Sequence, residues 1–259
     1  MRNLLFGPVQ RGDRHFRWRG HDVSRVEGFS DAVFAFALTL LVVSLEVPRT
    51  FADLRAIMLA FPAFAACFAL LVLVWYEHYL FFRRYGLQDG GTVAWNAVLL
   101  FLVVFYVYPL KFLALILLNL AQGRVPRVTA PDRTTLPAVQ HADMNDLMLI
   151  YGAGYFAIYL VFWIQTRRAL ARAAGLELDA VEIQLTREHL QRDLLLCAIG
   201  IVSMAVALLP FAYSAFWSGM TYWLIGPVLW LHGWRAERRL RPLVAQRAAA
   251  ATGPHPLAG

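Results

Sequence analysis

Long apolar stretches separated by short polar ones set the rhythm of this chain. In RVEGFSDAVFAFALTLLVVSLEVP, Arg25 to Pro48, no charge falls between Ala32 and Val43, and Thr39 is the lone polar residue there. Comparable runs follow at about 56–84, 92–120, 144–172, 190–213 and 215–236. Each approaches the ~20 apolar residues that a helix needs to cross a bilayer. The pattern predicts an all-α polytopic membrane protein with six transmembrane helices per subunit. Ser24 and Glu27 have the spacing of a capping box that opens the first helix, and Pro48 closes it. Gly123, Pro126, Pro131 and Pro137 mark 121–143 as a loop. The layout expected is a cytoplasmic segment 1–24, a six-helix transmembrane domain 25–236, and a disordered cytoplasmic tail 237–259.

Composition supports this reading. Of 259 residues, 59% are hydrophobic and 16% charged, where a soluble protein carries about 25% charged residues. Cys67 and Cys197 both lie inside apolar runs, so neither a disulfide framework nor a metal site is expected. The net charge of +7 is supplied almost entirely by arginine. These arginines flank the apolar runs, which points to membrane topology and away from nucleic acid. They crowd the N-terminal segment, the second-to-third and fourth-to-fifth connections, and the C-terminal tail; Arg49, Arg55, Arg124, Arg127 and Arg133 fall on the other side. That bias predicts a multi-pass protein of the plasma membrane with both termini cytoplasmic.

Ionisable residues within spans are costly, roughly 2.5–3.5 kcal/mol at a helix centre on insertion scales. The candidates are Asp31, Glu77, His78 and His232. Arg25 and Asp31 stand about 240° apart around a helix, so they cannot pair on one face. Asp31 therefore meets water or another helix, and a cluster of Arg25, Ser30 and Asp31 with His78 is one expectation. An acid at the headgroup level, favoured by the helix start, is the other. Glu77 reads as interfacial and His232 as a packing histidine. Phe36, Leu40, Val43 and Val47 form one stripe that Ala32 and Phe29 extend. Such a stripe is either packed against lipid or protein, or the wall of a pore that gates by dewetting. There is no TVGYG filter sequence.

Arg25, Phe29, Ser30 and Asp31 spell R-x-x-x-F-S-D, followed by AVFAFALTLLVV, and Trp75 with His78 forms W-x-x-H. This resembles the opening of the bacterial branch of the transmembrane protein 175 family, the lysosomal-type potassium channels. Asn96 and Pro109 fall at compatible positions in the third span. The resemblance implies a homotetramer in a lipid bilayer, with the first span of each subunit lining a central pore for potassium ions and for protons. It implies no catalysis, no cofactor and no nucleic acid. It assigns the constriction to Phe36, Leu40 and Val43, a selectivity role to Thr39, and a polar network bracing the pore helix to Arg25, Phe29, Ser30, Asp31, Trp75 and His78. The chain departs from the family in carrying Phe36 where a smaller branched aliphatic is usual. Ser44 stands where an acid is common, with Glu46 nearby.

A proton-permeable channel and a secondary transporter are the alternatives. A transporter calls for interrupted helices or a repeat pair around a midplane site, and the sequence carries no such repeat. An intramembrane hydrolase is disfavoured: G-x-S-x-G and H-E-x-x-H are absent. The adjacent Ser30 and Asp31 also point about 100° apart on a helix.

Overall fold

The computed structural model describes residues 12–13, 15–20, 22–43, 49–121, 127–129, 135–137, 143–211 and 213–252. Its helices are α1 (Arg25–Val43), α2 (Phe51–Tyr85), α3 (Gly90–Ala121), α4 (Met144–Ala171), α5 (Ala180–Ala207), α6 (Ser214–Met220) and α7 (Ile225–Thr252). A 3₁₀ turn, Thr221–Leu224, joins α6 to α7. The two form one helical run, and the described residues therefore make six helical units. In lipid every backbone N–H and C=O must be satisfied within the chain, and helices achieve this locally. Among the described residues four helices are long and apolar enough to span a membrane: Phe61–Tyr85, Gly90–Phe112, Met144–Ala171 and Ala180–Ala207.

The capping box forms at the start of α1. Glu27 N donates to Ser24 Oγ at 3.2 Å, and Ser24 N donates to a Glu27 carboxylate oxygen at 2.7 Å. Pro48, expected to close this helix, lies outside the described residues, as do Ser44, Glu46 and Val47.

Three boundaries differ from the sequence pattern. α5 begins at Ala180, ten residues before the expected 190, with its own capping box between Asp179 and Glu182. Its first half carries Glu182, Arg187, Glu188, His189, Arg192 and Asp193. Hydropathy excludes such a stretch, and tertiary ion pairs make it part of the bundle. α7 continues to Thr252, so 237–252 is helical where a disordered tail was expected; 253–259 lie outside the described residues. The loop 121–143 contains an antiparallel pair, β3 (Arg127–Thr129) with β4 (Thr135–Pro137).

One apolar core joins α1 through α4: Phe34, Ala37 and Leu41 meet Cys67 and Leu71, Leu99, Val103 and Val107, and Ile158 and Phe162. A second, at one end of the bundle, gathers Phe81, Phe82 and Tyr85 of α2 around Phe16, with Ala169 and Leu178. Phe16 is delivered by a hairpin of β1 (Gly12–Asp13) and β2 (Phe16–Arg17). Arg19 locks that hairpin down. It pairs with buried Glu182 at 2.7 Å, and the backbone N–H groups of Arg19 and Gly20 donate to Arg83 O. The close approach demands glycine: a Cβ on Gly20 would lie 2.6 Å from Phe82 O.

Candidate pore helix and its polar bracket

α1 has two faces, although both are largely apolar. Glu27, Ser30, Phe34, Ala37 and Leu41 recur every three or four residues and are buried. Phe29 (63% exposed), Ala32 and Phe36 (56% exposed) stand on the opposite side. Apart from Arg25 and Thr39 this side is apolar, and it is left to be covered.

The buried face is fixed by two polar contacts made by adjacent residues. Ser30 is fully buried, and its hydroxyl accepts from Asn96 Nδ2 of α3 at 2.8 Å while donating to Val26 O at 2.7 Å. Asn96 Oδ1 in turn accepts from His78 Nε2 of α2 at 2.9 Å. The order of donors follows from the chain's end: Ser30 must donate to a carbonyl, so Asn96 presents its NH₂ to Ser30 and its oxygen to the histidine. His78 is therefore the Nε2–H tautomer, its ring held between Phe34 and Phe82 at 5.5 and 4.8 Å between centroids. Asp31, one residue and about 100° further round, accepts instead from the indole N–H of Trp75 at 2.8 Å. Successive residues of α1 thus reach α3 and α2, and the helix is wedged between them.

The structure brings together Ser30, Asp31, Trp75 and His78, with Asn96 as the bridge. It does not bring Arg25 into the group. Arg25 is exposed and makes no described bond to these residues. The reason is helical phase: Arg25 lies four residues before Phe29 and eleven before Phe36, so it shares their exposed side. Phe29 is likewise exposed. Leu40 is half-buried against the main core. Thr39 is exposed, with its hydroxyl donating to Ala35 O at 2.8 Å. The side chain of Val43 lies outside the described residues.

Asn96 was the residue whose role the sequence concealed. Glu77, read from the sequence as interfacial, is half-buried and has an ion-pair partner on another helix. It receives both guanidinium ends of Arg192 of α5 at 2.8 Å, and Arg192 also contacts Asp193 at 2.9 Å. Close by, Arg84 lies 2.6 Å from His189 Nε2, and Tyr85 donates to Thr186 at 3.0 Å. A small cavity between α2, α4 and α5 has Glu77, Arg84, His189 and Arg192 in its wall beside the apolar Leu80, Phe81 and Phe162. α2 is therefore polar on two sides over its last turns, Trp75 and His78 toward α1 and α3, Glu77 and Arg84 toward α5. His232 of α7 contacts Glu188 O of α5 at 3.1 Å. Among the described residues no three His, Cys, Asp or Glu are placed to hold a metal ion.

A third cluster sits in the turn between α2 and α3. Asp89 accepts from Thr92 at 2.7 Å, from Arg168 at 2.8 Å and from Arg172. The Arg172 bond, then that of Thr92, holds the Asp89 carboxyl below the usual carboxylate range.

Residues 25–106 match the family described as endosomal/lysosomal potassium channel TMEM175. A relative from Marivirga tractuosa, named potassium channel, is 39% identical over 243 residues, covering 93% of this chain and 98% of its own. A potassium channel of Chamaesiphon minutus is 34% identical over 112 residues, covering 40% of this chain and 55% of its own. Among solved structures, a variant of the potassium channel MtTMEM175 bound to a nanobody–MBP fusion superimposes with a TM-score of 0.75 at 38% identity, over 87% of this chain and 98% of that one. A lysosomal potassium-selective channel TMEM175 homolog from Chamaesiphon minutus superimposes with a TM-score of 0.51 at 23% identity, over 82% of this chain and 96% of that one, a likeness of fold.

Proposed function

This chain belongs to the endosomal/lysosomal potassium channel TMEM175 family, and from that premise we propose that it is a potassium channel, a passive cation pathway lined by α1. The relatives are channels, and channels are not enzymes. The observation that carries the reading is the exposed apolar face of α1, Phe29 to Phe36, directly opposite the side bracketed by Asn96 and Trp75.

One subunit leaves that face uncovered among its described residues. Four copies around a common axis would turn it inward and close a pore. Phe36, Leu40 and Val43 form the constriction, and Thr39 offers a hydroxyl beside it. Large apolar side chains gate by expelling water, and ions pass when the constriction widens and wets. Potassium gives up hydration water more readily than sodium, which supplies a preference without a carbonyl filter. A wetted constriction also passes protons. The network of Ser30, Asp31, Trp75, His78 and Asn96 holds the pore helix from behind and touches no ion.

The six-helix domain 25–236 sits in the plasma membrane with both termini cytoplasmic. Arg17, Arg19, Arg84, Arg168, Arg172 and Arg192 gather at the same end of the bundle as the N-terminal hairpin, which supports that orientation. A planar bilayer recording with potassium on one side and sodium on the other tests the reading. A reversal potential displaced toward potassium supports it, and a reversal at zero removes the preference.

A further inference from the structure

Helix α7 is two-sided. Its inner side carries His232, Ala236 and Arg239, which face α5: His232 and Arg239 both contact Glu188, and Ala236 is buried. Arg247, further along, bonds Asp179 at 3.2 Å and His15 O at 3.0 Å. The outer side carries Trp230 (72% exposed), Trp234 (44% exposed), Arg238 and Arg241. The spacing of four, four and three keeps these four within one quarter-turn of helix, over roughly 16 Å of its length. Along this side the order is aromatic, aromatic, then the acid Glu237 and two arginines, and exposed Arg235 lies on its flank.

Arg238 and Trp234 form the join. The guanidinium carbon of Arg238 lies 3.5 Å from the centroid of the Trp234 ring. Stacked in this way, a guanidinium spends its face on the ring and leaves its in-plane N–H donors at the edge free. Neither Arg238 nor the neighbouring exposed Arg235 bonds another described side chain through those donors. Arg241 shares the exposed Glu237 at 3.0 Å, an i,i+4 pair in open solvent. Arg238 and Arg241, with Arg235 on the flank, outweigh the one acid and leave the surface positive.

We infer that this outer side of α7 is a docking surface for anionic phospholipid headgroups. Trp230 and Trp234 sit at the level of the interface, where amphipathic rings concentrate. Arg235, Arg238 and Arg241 reach the headgroup phosphates just beyond. The planar fork of arginine matches phosphate oxygens two at a time, and basic residues beside a membrane helix draw anionic lipid. Charge selects the occupant: a second copy of the same surface would bring positive against positive. The inference rests on the membrane-embedded reading of the chain.

The test uses the purified full chain in neutral detergent. Its thermal midpoint is followed with phosphatidylglycerol, with phosphatidylcholine and with inorganic phosphate. Phosphatidylglycerol should raise the midpoint by a few degrees, as a ligand of the folded state does, and the other two should not. The combined Arg235→Gln, Arg238→Gln, Arg241→Gln variant should lose that rise while keeping the lipid-free midpoint. If its lipid-free midpoint falls, Arg238→Gln alone is used, and the rise should shrink. An equal rise with phosphatidylcholine or phosphate overturns the proposal, as does a rise retained in the variants. A changed oligomer size in the variants would make the surface a protein interface and also overturn it. Potassium flux from neutral-lipid liposomes reads the channel proposal separately, because it needs no anionic lipid.

Discussion

Ser30 and Asp31 are neighbours in sequence and are held by different helices: Asn96 of α3 donates to Ser30 at 2.8 Å, and Trp75 of α2 donates to Asp31 at 2.8 Å. Two contacts 100° apart fix the rotation of α1 about its axis, which one contact would leave free. Rotation decides whether Phe36 or Phe34 faces outward. The carboxylate at the mouth of the apolar run is thus one of a pair of rotational stops.

Asn96→Leu removes the bridge and leaves His78 Nε2 and Ser30 Oγ buried, each short of a partner. A buried group left unsatisfied costs about 1–3 kcal/mol. The thermal midpoint in detergent should fall. A double-mutant cycle with His78→Phe should show strong coupling, because the second change removes the orphaned donor.

Trp75→Phe removes the only donor described on Asp31 and keeps an aromatic, if smaller, side chain. Asp31→Asn keeps an acceptor oxygen for the indole N–H. The tryptophan change should therefore alter open probability more than the asparagine change does. Single-channel recording checks this. Both variants should keep the wild-type reversal potential, because neither side chain belongs to the conducting face.

Arg192 serves Glu77 and the buried Asp193 together. Arg192→Met leaves the buried Asp193 carboxylate without its cation and the half-buried Glu77 unpaired, and the midpoint should fall. Glu77→Leu combined with Arg192→Met and Asp193→Leu should recover most of that loss. Midpoints of the single and triple variants measure the difference.

Asp89 gives the chain an acid-sensitive contact outside the spans. Its carboxyl ionises more readily in the folded protein than in the unfolded chain, because Arg172, Thr92 and Arg168 hold the charged form. The stabilisation is complete above the unfolded carboxylate value of about 4 and is lost as pH falls through the lower folded value. The midpoint difference between wild type and Asp89→Asn should stay constant from neutral pH down to about 5 and shrink below about 4.

Much of this was legible in the sequence, and the failures have physical causes. Apolar runs and the Ser24–Glu27 capping box located α1 because those signals are local. The start of α5 was hidden because Glu182, Glu188, His189, Arg192 and Asp193 look like a loop until their partners on α2, α7 and the N-terminal hairpin are known. Asn96 is one amide in an apolar helix, and no spacing rule names its partners. Arg25 was grouped with Ser30 and Asp31 as a neighbouring polar residue and again by motif, although helical phase sets it beside Phe29 and Phe36. Glu77 and His78 are adjacent and serve opposite sides of α2, a division that only the packing reveals.

The central claim is that ions pass along the exposed face of α1 with Phe36 at its narrowest part. Potassium-loaded liposomes carrying wild type or Phe36→Ala test it, with efflux followed in the absence of valinomycin. Efflux down the gradient is expected from wild type, and faster efflux from Phe36→Ala, since a smaller side chain wets more readily. No efflux from either protein would contradict the account.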